Sequence, residues 1–356
     1  MSKVAVLKTN PEIVLDDYNK LMNLAEFKKQ FAKEKETILK LNLSWSLYYP
    51  ACSTEPWQLE GVIKSMLNKG YSKEKIIATE NKTVVTDVQK GLKGNKWDNI
   101  LRRYNINFIS LPETEWVNYK PKTEMLAMDK IFTNGHVIPK FFIGKQIIHL
   151  PTVKTHGHTI MTGAMKNAFG GLITERRHHC HKMIHEVLVD LLAIQKEIHP
   201  KMFAVMDGTV CGDGAGPRTM EPKIKNYIIA SDDQVAIDAI SAKMMGFDPM
   251  KIRFIKLAHD RGLGTGDVRQ IEIVGEDISR TNFRFKTNKS PVIFWDQMFR
   301  KGSLSFIEPM LFHTGLFKLA VFGSAFYHDK LWYPTIGKVK IKKFMKSKWG
   351  KLWQDY

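Results

Sequence analysis

One stretch of the chain gathers lysine, histidine and glycine: Leu150–Gly171, LPTVKTHGHTIMTGAMKNAFGG. Within it Lys154, His156, His158, Thr162, Lys166 and Asn167 follow an apolar run that ends near Leu150. A lysine offers a point charge or, when desolvated, a base or Schiff-base amine. An imidazole moves a proton near neutral pH or binds a metal. Two of each beside small turns suit a phosphate, carboxylate or enolate better than an apolar ligand. Lone lysines are usually solvated and lone histidines usually structural. The coincidence of strand end, glycines and charge favours function here.

A second stretch, Met206–Arg218 (MDGTVCGDGAGPR), follows another apolar run. Asp207 is placed to orient a histidine, accept a lysine or ligate a cation. Gly212, Asp213, Gly214, Gly216 and Arg218 read as an anion-cradling loop, although the spacing is neither GxxxxGKS nor a GxGxxG that opens a helix. Asp238, inside a helix capped by Ser231 or Asp232, is a candidate supporting carboxylate. Lys40, Asn42, Ser53 and Thr54, the last also a helix cap, are candidate ligand contacts from the same sheet edge. His181 and His185 stand four apart, which puts both on one face of a helix starting near His181 and permits metal chelation. No carboxylate or cysteine is spaced to complete a zinc motif. Cys52 reads as an exposed thiol with no base near it in sequence.

The elements that must hold these residues follow from apolar periodicity. Short apolar runs at Val4–Lys8, Thr37–Leu43, Lys75–Glu80, Ile106–Leu111, Gln146–Leu150, Met202–Met206 and Tyr227–Ala230 alternate with amphipathic stretches. That alternation predicts an α/β fold, a mostly parallel sheet with helices on both faces. In such sheets ligands sit outside the carboxyl ends of the strands, where both stretches fall. The division predicted is an α/β body over 1–278, with two lobes parting near 114–145, and a basic, aromatic-rich extension over 279–356.

At 356 residues the chain can bury a substantial core. Cys52, Cys180 and Cys211 are odd in number and far apart, so no disulfide framework or cluster-binding CxxC is written here. A reducing compartment follows. The start of the chain lacks the layout of a secretory signal, which makes the cytoplasm the expectation. Of the net charge of +18, residues 279–356 supply about +11, from 15 Lys+Arg against 4 Asp+Glu. The same segment holds 17 of the 38 aromatic residues. Pro309–Tyr327 is nearly of spanning length but is interrupted by Gly315, Gly323, His313 and Lys318. Lys338–Lys351 sets Phe344 and Trp349, with Trp353 beyond, among lysines. An anionic membrane surface contacted through 309–353, on the inner face of the membrane, is the leading partner for this tail. A cap that packs its aromatics on the body is the alternative, and nucleic acid ranks last.

The ordered blocks VKTH…TGAMKNAFGG, MDGTVCGDGAGPR, ASDDQVAIDAISAKMMGFDP and AHDRGLG…IEIVGED resemble the bacterial and archaeal family called domain of unknown function 362, over roughly Leu39–Asp277. Where that family commonly has Lys-Pro-Asn, this chain has Lys40-Leu41-Asn42. Some members carry ferredoxin-like cysteine clusters, so the resemblance implies redox chemistry as an open option. Lacking such cysteines, this chain would need an iron–sulfur cluster borne by a partner. His156-Gly157-His158…Gly163-Ala164-Met165-Lys166 also resembles the histidine-rich turn of nickel-pincer lactate racemases, which implies proton or hydride movement beside a lysine-linked cofactor.

The leading expectation is an enzyme, an oxidoreductase or isomerase, acting on a small anionic or lipid-linked substrate near a membrane. Lys154 and Lys166 would hold negative charge, His156 or His158 would act as acid and base, and Asp207 would orient one of them. The cofactor is left open between a metal and a partner's cluster. A non-catalytic accessory or electron-transfer protein docked on a redox partner is the rival from another class.

Overall fold

The computed structural model describes residues 1–312 and 314–356, with the side chains of Glu175 and Arg176 left aside. The strands are β1 (Ser2–Lys8), β2 (Thr37–Lys40), β3 (Ile76–Glu80), β4 (Asn107–Ser110), β5 (Trp116–Tyr119), β6 (His136–Pro139), β7 (Gln146–His149), β8 (Thr152–His156), β9 (Ile160–Met161), β10 (Met202–Ala215), β11 (Thr219–Ser231) and β12 (Ile271–Gly275). The main sheet runs β12-β1-β11-β10-β7-β2-β3-β4, with β8 also pairing with β10 and β9 with β8. From β4 to β10 every pair is parallel; β11 runs against its neighbours β10 and β1.

Helices cover both faces. Ile38, Ile147, Ala204 and Met206 pack toward the helices at Ile184–Ile198 and Gln234–Met245. Their neighbours Leu39, Ile148, Phe203 and Val205 pack toward Val14–Leu24, Pro56–Asn68 and Trp97–Tyr104. A strand buried on both faces has no polar alternation to show, which is why these runs read as continuous apolar segments. β5 and β6 form a separate two-stranded ribbon within 114–145.

The chain visits β2, β3 and β4 in one direction, then returns to lay β7 on the other side of β2. The carboxyl ends of β2 and β7 therefore flank a switch in strand order, the place where such sheets open a crevice.

Several local expectations shift. Met202–Met206 and Tyr227–Ala230 are the inner parts of a long hairpin, with strands of 14 and 13 residues. The expected glycine loop is consequently strand, bulged between Gly208 and Val210, and only Gly216–Arg218 turn at the tip. The caps are Glu55, not Thr54, and Asp233, not Ser231 or Asp232. The helix expected near His181 starts at Ile184, behind a 3₁₀ stretch over Glu175–Met183.

The extension divides into two parts. Helix Lys348–Asp355 docks on the body: Trp349 is buried against Trp57 with ring centroids 5.0 Å apart, its indole N–H donates to Asn226 Oδ1 at 2.7 Å, and Trp353 stacks on Tyr48 at 4.1 Å. Phe344 is buried as well. Phe344 and Trp349 are core groups and Trp353 packs half-buried against them, which corrects the expectation that these aromatics anchor in lipid. Residues 291–339 behave differently. Of eighteen exposed large apolar side chains among the described residues, eleven lie between Phe294 and Val339, so the outward apolar character belongs to this part.

Candidate functional site

A cleft of about 610 Å³ opens at the carboxyl ends of β2 and β3, bordered by Lys40, Asn42 and Glu80. The glycine-rich stretch supplies its floor with His156, His158, Lys166, Asn167 and Phe169, and the hairpin tip contributes Gly216–Arg218. Its roof comes from the extension, through helix Pro291–Lys301 and through Phe317, Ala320, Val321 and Ser324 of helix Phe317–Ala325. Those four positions follow the spacing of one helical face. The other face of the same helix leaves Leu319 and Phe322 exposed.

Lys166 sits in the short helix Ala164–Asn167, whose first N–H groups are held by Asp238. Ala164 N–H donates to Oδ1 at 2.6 Å and Met165 N–H to Oδ2 at 3.1 Å. Asp238 is fully buried, and burial lifts its carboxyl to about 8. It therefore places the lysine turn and does not meet a ligand. Among the described residues Lys166 Nζ has no hydrogen-bond partner; its nearest recorded contact is the Phe169 ring at 5.4 Å. Burial first, then the charges of Lys154 and Arg177, bring its ammonium down to about 7. That value lets one group hold or release a proton near neutrality.

His156 lies beside it. Its Nδ1 accepts from the His158 backbone N–H at 3.2 Å and is 3.1 Å from Thr159 Oγ1. A backbone N–H can only donate, so Nδ1 carries a lone pair and the neutral ring carries its proton on Nε2. Burial and the neighbouring Lys166 hold the ring neutral, well below the ordinary histidine range. The turn after it is closed by Ile160 at φ 68°, a costly conformation for a β-branched residue and one that local packing must enforce.

Lys154 has a different fate. Its Nζ donates to Asn42 Oδ1 at 2.6 Å and to Thr152 Oγ1 at 2.5 Å, fully buried below the floor. Burial brings it to about 8. It belongs to a polar chain: Asn42 Nδ2 reaches Asn167 Oδ1 at 3.5 Å, Asn167 Nδ2 contacts His149 Nδ1 at 3.3 Å, and His149 Nε2 contacts Gln195 Oε1 at 2.6 Å. This chain orients Asn167 and uses up Lys154.

Asp207 is the largest correction. Its side chain points to the opposite core, where Oδ2 accepts from Tyr18 Oη at 2.7 Å and Trp57 Nε1 at 2.9 Å, and Oδ1 from the Thr209 N–H and hydroxyl at 3.0 and 2.8 Å. It touches no histidine. Thr54, Thr162 and Asp213 are likewise committed elsewhere. The Thr54 hydroxyl donates to Leu150 O, that of Thr162 to Thr152 O, and Asp213 accepts the Lys286 N–H at 2.9 Å, which pins the linker to the extension. The Gly212 and Gly214 carbonyls accept from Thr155. Gly216 permits the tip to lie on β8, since a Cβ there would come within 1.7 Å of Thr155 O. Arg218 borders the cleft with its Nε on Ser44 O at 3.1 Å. Cys52 is buried, not exposed, and its thiol is pushed up to about 12.

His181 and His185 part company because the 3₁₀ stretch ends between them. His185 lies near Phe254, whereas His181 stacks on His158 at 4.9 Å inside the cleft wall.

Sequence reasoning reached Lys40 but passed over several other lining groups, Glu80 among them. Lys40 and Glu80 end adjacent strands as a buried ion pair of 2.7 Å. Arg177, brought down to about 10 by burial, donates to the carbonyls of Gly170, Ile173 and Lys82. A charge closing an apolar run, as in TILK and IIATE, is the signal that marked the first two. Asp296 and Arg300, at i and i+4, pair at 3.0 Å on the helix over the cleft.

The model of a family described as Domain of unknown function (DUF362) matches residues 37–243. The extension, and with it Asp296 and Arg300, lies outside that match. A thylakoid-associated protein of Synechocystis sp. is 28% identical over 113 residues, 30% of this chain and 34% of the relative, so the chain spans about a third of that protein's length. Neither finding extends to the lactate racemases. No solved structure matches.

Proposed function

The chain belongs to the DUF362 family, whose description names no activity, and we propose that it is an enzyme acting on an amphiphilic anion at a membrane surface. Lys166 carries this reading: a partly buried ammonium without a hydrogen-bond partner among the described residues, facing a cleft of ligand size. A cation partly withdrawn from water without a counter-charge is costly and calls for an anion. Around it the lining holds Lys40, Arg177, Arg218 and Arg300 against two carboxylates, Glu80 and Asp296, each already paired.

The charged floor faces an apolar roof of Phe299, Phe312, Phe317 and Val321. A head group on Lys166 with a hydrocarbon tail along the roof matches that division. Lys166 then takes or returns a proton next to the anionic group, while the His156 Nε2–H donates to the charge that develops. Proton transfer of the isomerase kind needs no more than these two groups.

The outer face of the roof supports a place at a lipid surface. Among the described residues no single helix is long and apolar enough to cross a membrane; the bent pair Ser305–Phe312 and Phe317–Phe344, turned by 92°, passes only in combination, across His313, which lies outside the described residues. Exposed Leu319, Phe322 and Val339, followed by exposed Lys342 and Lys343, fit a segment lying in the interface of an anionic leaflet, peripheral on its inner face. The relative's thylakoid association agrees with that setting.

Thermal denaturation with decyl phosphate and with inorganic phosphate tests the reading. Decyl phosphate raises the Tm of the wild-type chain more than phosphate does, and Lys166→Met abolishes both shifts. Equal shifts in wild type and K166M would remove Lys166 from the site and the proposal with it.

A further inference from the structure

Helix Pro291–Lys301 docks on the turn between β8 and β9 with one face, Ile293, Asp296, Gln297 and Arg300. Ile293 lies where a Cβ on Gly157 would sit, and Gln297 Nε2 donates to the Gly157 carbonyl at 2.8 Å. This contact carries Asp296 to the imidazoles. Asp296 Oδ2 stands 3.5 Å from His158 Nε2 and 3.9 Å from His181 Nδ1, and one ligand atom from each of the three residues lies within 4.8 Å of the others.

We infer that His158, His181 and Asp296 bind one divalent transition-metal ion in the cleft wall, with the body supplying two ligands and the extension the third. Two nitrogens and a carboxylate oxygen are ligand types that zinc and its neighbours accept, and three protein ligands leave a position open to the cleft. Bonds of about 2.0–2.1 Å place tetrahedral ligands roughly 3.3 Å apart, so the observed spacings close with side-chain adjustments under an ångström or so. An independent sign is His181 Nδ1, a buried ring nitrogen that makes no hydrogen bond. Arg300 grips Asp296 through Nε at 3.0 and 3.1 Å and is itself stacked on Phe312 at 3.8 Å, which orients the carboxylate from behind as outer partners of metal ligands do. Lys166 and Arg300 are the opposing charges nearby, and the site counters them with Asp296 and with the open position available to an anion.

The inference does not depend on the cleft's substrate. Its test is Co²⁺ titration of the full chain after chelator dialysis, followed by visible absorption and by Tm. One Co²⁺ per chain, displaced by Zn²⁺ and raising Tm, is expected. His158→Ala, His181→Ala and Asp296→Ala each weaken binding by more than the 10–100-fold that loss of an outer partner costs. His185→Ala, four residues away and outside the triad, retains wild-type affinity. The Tm of each metal-free variant separates lost ligands from a lost fold. Absence of stoichiometric binding to the wild-type chain, or affinity preserved in a folded H181A or D296A, overturns the site.

Discussion

Asp207 and Lys166 are both charged groups lodged in the body, and their surroundings could hardly differ more. Around Asp207, one carboxylate receives Tyr18, Trp57 and Thr209, and both oxygens are occupied inside the buried core. Around Lys166, an ammonium and a neutral imidazole border open space with no partner for the ammonium among the described residues. Burial by itself marks neither as functional. A satisfied buried charge fixes a structure, whereas an unsatisfied one facing a cleft is held for something that arrives.

The sharpest way to break this comparison is to remove each group in turn. Asp207→Ala strips the acceptor from four buried donors on three residues, each group left unpaired costing on the order of 1–3 kcal/mol, so a loss of about 3–5 kcal/mol in urea denaturation is expected. Asp238→Ala should cost about 1–2 kcal/mol by freeing two N–H groups of the lysine turn, and should lower decyl phosphate affinity at the same time. Lys166→Met should change stability at pH 7 by less than about 1 kcal/mol, or raise it, because a burdensome charge disappears. A large loss there would make Lys166 structural and erase the distinction.

The pH dependence sharpens the same point. Burial brings Lys166 from an ordinary 10.5 to about 7 and Lys154 to about 8. Between those values and 10.5 the unfolded chain binds more protons than the folded one, so stability rises as pH climbs through this window and is lowest below it. K166M should flatten the early part of that rise, near pH 7–8, in denaturant titrations at stepped pH. Anion binding should weaken as pH passes above about 7, since the neutral amine no longer attracts charge. The smallest stability effect is expected for Phe322→Ser, within about 0.5 kcal/mol because the ring is 69% exposed. Its co-sedimentation with anionic vesicles should nevertheless fall; unchanged sedimentation would move the lipid-facing surface elsewhere.

Much of this was readable from residue order. The strand ends, the glycine-rich turn carrying Lys166 and His156, and the α/β alternation are local patterns, and local patterns report period and composition faithfully. Facing was not readable. The period-2 rule assigns sides only when the register is known, and β10 shifts register between Gly208 and Val210, so Asp207 could not be told from a site residue. His181 and His185 misled for a related reason: a 3₁₀ turn breaks the spacing that i and i+4 presume.

The amino-acid order alone indicated that charged, glycine-rich turns follow the apolar runs at their carboxyl ends, because apolar runs must be buried and polar turns must sit at their ends. Only the tertiary structure decided which charges remain without partners, and that helices Pro291–Lys301 and Phe317–Ala325 return over the crevice to complete it. Contacts such as Gln297 to Gly157 and Trp45 to Asp329 join residues 140 and 284 positions apart. Pairings of that kind depend on how whole layers pack against each other, and no window of sequence contains both partners.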